Sequence, residues 1–492
     1  MTTTHIPISV GQAKRVLEWW SSSEKFRQMV AVATAQAARE MPVDIDPELV
    51  RALWDPFYAI QAGRDETELH PVVHEYREFF RGKTIWRGEV KDECSPSEPR
   101  FQAWRSRQIK RNVLENGGYD DYIIHTPIAI ELTEGCSVGC WFCGVGATKM
   151  FESWRYTPEN AKLWRELLAV LYDKIGPATK WGFCYWATDP LDNPDYEHFA
   201  TDFATITGIF PQTTTAQAQK HVERLKKLLP LSNSLGCRVN RFSVLTEPLL
   251  RQIHAAFTAD ELLNVEIVSQ MPGGTVAKAN AGLFREKAKE RKKVVEIEEK
   301  KLVELAETQR RIAAATESDV TIMTPAQPGT IACVSGFLLN MVHRTIKLIS
   351  PCRANDRWPL GYIVFDEATF TDAQNLSEIV ETMMDTHMRI GLDIEDPVRL
   401  NPGLEYEQVD DGFHVKSPMT ALTFKREDLA ESLHSLGRQV SSGQKTAGEI
   451  ALTNFFQHGI PEANTIGTLD LMFDHGLLMD RHGLTGMEPL QA

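Results

Sequence analysis

The stretch "ELTEGCSVGCWFCGVGATK", residues 131–149, decides how this chain is read. Cys136, Cys140 and Cys143 are three of its eight cysteines, gathered within eight positions. A Cys-x3-Cys-x2-Cys triplet offers three thiols on one tight loop. A structural zinc ion wants four tetrahedral ligands, and no fourth Cys or His lies nearby; His125 precedes the strand before the loop and is poorly placed to complete a set. Three cysteines suit instead a 4Fe–4S cluster that leaves one iron open to an outside ligand. Gly135, Gly139, Gly144 and Gly146 let the loop wrap a bulky group and bring backbone N–H groups to its sulfides.

Composition narrows the setting. The chain's 492 residues, 42% hydrophobic and 24% charged, leave room for about two to four ordinary globular domains. A net charge of −14 argues against nucleic acid or an anionic membrane surface as the main partner. The N-terminus shows no basic leader before an apolar core, and no apolar run approaches the ~18–20 residues that span a bilayer. A cytoplasmic protein with reduced thiols is expected, in which clustered cysteines are metal ligands rather than a disulfide framework.

Residues 1–125 are expected to be a helical region. "QAKRVLEWW" and "SEKFRQMVAVATAQAARE" repeat apolar residues at helical spacing, with Ser22 or Ser23 as a cap before Glu24. No chemistry is suggested there, so a helical shell or docking module is the plain reading. Over 126–275, short apolar runs alternate with helical segments. "IAIEL" (128–132), "WGFCYWA" (181–187), the threonines opening "TTTAQAQKHVERLKKLL" (213–229), "RFSVL" (241–245) and "VEIVSQ" (265–270) read as strands. The alternation predicts an α/β fold with a parallel sheet, a barrel or partial barrel, and ligands at the C-terminal strand ends. The triplet begins just after the first strand.

Residues 276–397 join a long charged helix or hairpin (276–316) to the β segments "GTIACVSGFLLN", "TIKLIS" and "LGYIVFD". Pairs Glu296–Lys300 and Glu307–Arg311 and a thin apolar stripe predict a mostly solvated helix without chemistry. Residues 398–492 form a separate, winged-helix-like unit. Asp411-Gly412 turns a hairpin, "FKREDLAESLHSLGRQV" aligns Leu429, Leu433, Leu436 and Val440, and Thr446 with Glu449 makes a capping box before two closing helices.

Cys136, Cys140 and Cys143, with the aromatic Phe142 before the last of them, resemble the signature of radical S-adenosylmethionine (SAM) enzymes. The resemblance implies a partial (β/α)6 barrel and a 4Fe–4S cluster whose unique iron holds SAM for one-electron cleavage to a 5′-deoxyadenosyl radical. Where that family has Gly-Gly-Glu-Pro, this chain has "YWATDPLDNPD", so Ala187, Thr188 and Asp189 stand for Gly-Gly-Glu. Asp189 keeps an acceptor for the SAM amino group. Thr214, Arg241 and Ser243 are the candidate contacts to ribose or carboxylate, with ordinary polar packing of barrel strands as the alternative. A Gly-x-Ile-x-Gly adenine pattern after the fifth strand is missing.

The C-terminal unit resembles PqqD-like elements, which take the leader of a ribosomal precursor peptide as an added strand. Its "GLEYEQVDDGFHV" is too acidic for a DNA-binding winged helix. "CSVGCWFCGVGA", "GFCYWATDPLDNPDYE", "FPQTTTA", "RFSVL" and "ISPCRANDRWPLGY" resemble the radical SAM epimerases of proteusin maturation, over most of residues 125–370. This implies conversion of L- to D-residues in a precursor peptide, with a flavodoxin- or ferredoxin-like electron donor. The α-hydrogen leaves from one face, and a thiol returns hydrogen from the other. Outside the triplet the thiols are Cys94, Cys184, Cys237, Cys333 and Cys352. Cys352, in "SPCRAND", matches the family's donor position and is the choice, with Cys333 second. The alternatives are a thioether-forming or C-methylating radical SAM maturase and a non-catalytic, metal-stabilised peptide-binding protein. Only Cys333 and Cys352 follow the barrel segment, too few for auxiliary clusters, and the N-terminal helices do not look like a cobalamin domain.

Overall fold

Among the described residues, the chain before the first strand is helical. Helix Val10–Ser22 opens on a Ser9–Gln12 capping box, and Glu24–Val32 is capped by Ser23, whose side chain accepts from Phe26 N–H. The long helices Pro71–Glu93 and Pro99–Asn116 both start on proline, where its missing N–H costs nothing. The computed structural model describes residues 8–62, 68–117, 123–316 and 327–480.

Twelve strands follow: β1 (Thr126–Glu131), β2 (Thr133–Glu134), β3 (Glu152–Ser153), β4 (Thr214–Thr215), β5 (Asn240–Val244), β6 (Val265–Ser269), β7 (Val334–Asn340), β8 (Thr345–Pro351), β9 (Tyr362–Thr369), β10 (Glu405–Val409), β11 (Gly412–Lys416) and β12 (Ala421–Lys425). β4, β5 and β6 form one parallel sheet; β1 pairs in parallel with β7, and β8 and β9 extend that sheet antiparallel. The result is a mixed α/β architecture, and among the described residues the strands close no barrel. The expected second strand, "WGFCYWA", does not form: after the 3-10 turn Pro177–Trp181 this segment makes a single parallel bridge, from Phe183 to Ala129. Gly182 lets this segment lie against β1, since a Cβ there would meet the Ile128 side chain at 2.5 Å. Side chains rather than a hydrogen-bond ladder carry it across to β4: the Tyr185 hydroxyl meets Thr214 Oγ1 at 2.7 Å.

β1 and β7 are buried on both faces, which explains their unbroken apolar runs, whereas the edge strand β9 is half-exposed. Ile128, Ile130, Phe337, Leu339, Ile346 and Leu348 enter the main core beside Phe101, Trp104 and Trp164. Ala129, Val334, Leu338 and Ile349 line the opposite face with Phe183, Trp186 and Val145. Cys143 of the cysteine loop packs against that second face.

The charged segment breaks into Gly282–Glu290 and Lys292–Thr316, and it is less solvated than its composition predicts. Glu298, Lys301, Leu302 and Ala306 are buried. Lys300 faces Glu24 and Glu304 rather than Glu296, and the Arg311 guanidinium lies 4.2 Å from the Phe57 ring. The C-terminal unit is a three-stranded antiparallel sheet, β10-β11-β12, with helices Ala430–Ser442, Ala447–His458 and Glu462–Asp474 around a separate core that Leu114 joins from helix Pro99–Asn116. The Thr446–Glu449 capping box forms. "FK", expected at the start of a helix, ends β12 instead, where Phe424 stacks on Phe413 at 5.0 Å. No helix among the described residues is long and apolar enough to cross a membrane.

Candidate active site

The cysteine loop leaves the C-terminal end of β1 and folds back on itself. Gly135 takes φ +75°, and a Cβ there would sit 2.3 Å from Lys149 O, a crossing that only glycine permits. Cys136 N–H donates to Thr148 O at 2.9 Å, Cys143 N–H to Cys140 O at 3.1 Å, and Ala147 N–H to Cys143 Sγ at 3.3 Å. Burial pushes the Cys136 thiol up to about 11 and Cys140 to about 12, and Cys140 is raised further by Cys136 and Cys143, its immediate neighbours. Among the described residues, no three His, Cys, Asp or Glu side chains converge as the ligands of a single ion do.

The adjoining "DPLDNPD" loop acts as the frame of this end of the fold. The buried Asp189 carboxylate accepts from Thr215 Oγ1 at 2.9 and 3.0 Å, Ala216 N–H at 2.8 Å and Leu191 N–H at 3.1 Å. Burial nevertheless raises it to about 6. Its charge acts on Cys136 and Cys140, so Asp189 and the triplet share one end of the molecule, although its oxygens are engaged within the protein. Asp192 reaches the cysteine loop directly: it accepts from Ser137 N–H at 2.8 Å, Ser137 Oγ at 2.6 Å and Gln217 Nε2 at 2.8 Å. Asn193 Nδ2 donates to Leu132 O and Trp154 O at 2.9 and 2.8 Å. Glu131, at the tip of β1, accepts Ala187 N–H at 2.8 Å and Asn340 Nδ2 at 3.0 Å, and burial raises it to about 7. Sequence reasoning missed Asp192, Asn193 and Glu131; the Asp and Asn density of "DPLDNPD" was the available signal.

Thr214 and Arg241, with Glu266, are register partners across β4, β5 and β6. Arg241 Nε donates to Glu266 Oε2 at 2.9 Å and Thr214 is taken by Tyr185, so both have partners inside the protein. Ser243 stands two residues further along β5, half-buried. Phe142 is half-buried and packs edge-on against Trp141, ring centroids 5.4 Å apart.

The two candidate donor thiols lie on opposite faces of one sheet. Cys333 immediately precedes β7 and packs on the Ala129, Val334, Phe183 face, the same apolar cluster that Cys143 joins. Burial raises it to about 11, with Arg241 pulling the other way. Cys352 follows Ser350 on the reverse face, where Arg111 donates to Pro351 O at 2.7 Å. It lines a cavity of about 220 Å³ with Arg111, Glu115, Phe365 and Leu478, between helix Pro99–Asn116 and the C-terminal unit. Cys94, Cys184 and Cys237 are buried.

The three-thiol loop at the C-terminal end of β1, tied down by the half-buried carboxylate of Asp192, is the candidate site of this mixed α/β scaffold. By sequence, the chain belongs to the same family as the uncharacterized protein y4wI of Sinorhizobium fredii, to which it is 34% identical over 475 residues, covering 96% of this chain and 87% of that protein. No protein-family model matches the chain. Among solved structures, BtrN in complex with AdoMet and 2-DOIA overlaps 30% of this chain and 57% of its own, at 18% identity and a TM-score of 0.23, too low to carry an argument.

Proposed function

We propose that this chain is a radical SAM peptide epimerase, converting L- to D-residues in a ribosomally made precursor peptide. The observation that carries the reading is the loop of Cys136, Cys140 and Cys143: three neighbouring thiols at the end of β1, without a fourth ligand beside them in sequence. The loop suits a bulky group. Nothing lies within 4 Å of where a Gly139 side chain would begin, and the Ala147 N–H already aims at the Cys143 sulfur. Cys136, Cys140 and Cys143 would hold a 4Fe–4S cluster, which together with bound SAM supplies one electron and from it a 5′-deoxyadenosyl radical. The choice among radical SAM reactions rests on the resemblance of "CSVGCWFCGVGA" and "GFCYWATDPLDNPDYE" to the proteusin epimerases.

The remaining steps are asked of this chain's own side chains. Once the α-hydrogen has left as part of 5′-deoxyadenosine, the planar α-carbon receives a hydrogen atom on its other face. Cys333 stands ahead of Cys352 for that role, because its thiol shares the face that Cys143 packs against. Burial keeps that thiol protonated, so the weak S–H bond is intact at neutral pH. The thiyl radical left behind is restored by one electron and one proton from an external flavodoxin- or ferredoxin-like donor. The edge strands β10 and β12 of the C-terminal unit offer exposed backbone to a leader peptide.

Anaerobic reconstitution is expected to load about four iron and four sulfide per chain, and Cys136→Ala, Cys140→Ala and Cys143→Ala each to abolish uptake. Co-expression with the precursor peptide in D2O should add about one non-exchangeable deuterium per converted residue, since the thiol hydrogen equilibrates with solvent. An unlabelled peptide sinks the epimerase reading, and a product lighter by two hydrogens points to a thioether maturase. Cys333→Ala should keep SAM cleavage and lose D-residues; if Cys352→Ala does so instead, the donor is Cys352.

A further inference from the structure

The segment after β6, expected to be solvated and inert, packs directly on the cysteine loop. Leu283 N–H donates to Cys143 O at 2.9 Å, and Phe284 lies against Trp141 with ring centroids 6.0 Å apart. Lys278 Nζ sits 5.1 Å from the centroid of the Phe142 ring, between the second and third cysteines. This lysine is 7% exposed and Glu298 is 2% exposed, values rare for either residue type without partners. Lys278 donates from both ends to Glu298: its backbone N–H to Oε2 at 2.8 Å and its Nζ to Oε1 at 3.2 Å. Lys301, also buried, donates to both oxygens of the same carboxylate at 3.1 and 3.3 Å. Two ammonium groups thus share one carboxylate, and a net positive charge is held in a low-dielectric place beside the loop.

We propose that Lys278, locked by Glu298 and Lys301, is a positioning and electrostatic residue for the redox group of the cysteine loop, and this rests on the radical SAM reading. Its geometric part is to hold Phe142 by a cation–π contact that is stronger for being desolvated. Its electrostatic part follows from charge. A cluster ligated by three thiolates becomes more negative on accepting an electron, so a fixed buried cation favours the reduced state, and net charge is among the levers that set such potentials. At about 10 Å and an effective dielectric near 20, one unit charge is worth on the order of a tenfold change in the reduced-to-oxidised ratio. The charged pattern of residues 276–316 therefore includes a buried triad, Lys278, Glu298 and Lys301, that solvated i,i+4 pairs do not explain.

The experiment is a spectroscopic redox titration of the reconstituted full-length protein and two variants. Lys278→Met removes the cation while keeping its length; its midpoint should move negative, with the reduced fraction at a fixed potential falling about tenfold. Glu298→Gln keeps one acceptor oxygen and removes the counter-charge; its midpoint should move positive. Opposite signs separate electrostatics from loosened packing, which would shift or destabilise both variants alike. Lys278→Arg should restore the wild-type midpoint. Variants that load a cluster with an unmoved midpoint, or that shift in the same direction, overturn the proposal alone. A wild-type chain that binds no cluster overturns the radical SAM reading and this proposal with it.

Discussion

Glu131 and Asp189 each carry a proton well above the pH at which an ordinary carboxyl loses it, because burial disfavours the charge more than their hydrogen bonds restore it. The sign for stability follows. Between pH ~4 and the raised values of about 7 and 6, these two groups hold protons in the folded chain that they have released in the unfolded one, so their contribution to stability is full below pH ~4.5 and is lost as pH rises through that window. Glu131→Gln keeps an acceptor for Ala187 N–H and removes one of these terms. Denaturant unfolding at pH 5 and pH 8 should show the difference between the two conditions narrowing by about 2–3 kcal/mol. An unchanged difference would show that Glu131 ionises normally in the folded chain. None of this was visible in "IAIEL", where Glu131 looks like a strand-end surface residue; its neighbours Ala187 and Asn340 come from distant parts of the chain.

Among the elements, the "DPLDNPD" loop and the start of helix Gly282–Glu290 brace the cysteine loop from two sides. Asp192→Ala removes three hydrogen bonds to a carboxylate, and should cost about 1.5–3 kcal/mol. Amide exchange over residues 136–143 should then accelerate while the helix Pro158–Ile175 stays protected; equal exchange in both would refute the bracing role. Gly282 has φ +55°, and a Cβ there would lie 2.4 Å from Cys143 O and 2.5 Å from Gly144 O. Gly282→Ala is therefore expected to displace the loop or the helix and to lower stability by about 1–3 kcal/mol, read as a fall in Tm. At this scale the sequence was legible where periodicity is strong, as in β1, β5, β6 and the Thr446 capping box. It was misleading where side-chain ties replace ladders, as at Phe183–Trp186. Composition also misread the helix Lys292–Thr316, because a lysine and a glutamate that bury each other look the same in a sequence as two that face water.

Across the whole molecule, helix Pro99–Asn116 is common to two cores: Phe101 and Trp104 enter the main one, and Leu114 enters that of the C-terminal unit. Arg107 on the same helix stacks 4.1 Å over Phe473 and pairs with the buried Asp480 at 3.1 Å. Arg107→Ala would leave that carboxylate with the Gln108 amide at 3.4 Å and no adjoining cation, and a loss of about 3 kcal/mol is expected. Calorimetry should show the C-terminal unit melting separately in the variant but together with the main core in the wild type; a single shared transition in both would refute the coupling. The amino-acid sequence by itself determined the close spacing of three thiols and the α/β class, because short spacings and hydrophobic periods are local properties of a chain. Only the tertiary structure decided which thiol faces Cys143 and which lies behind the sheet. The same holds for Thr214 and Arg241 pairing within the protein and for Lys278 meeting Phe142. Strand alternation says that Cys333 and Cys352 have a face each, but which face is lined by the site depends on partners far away in the chain.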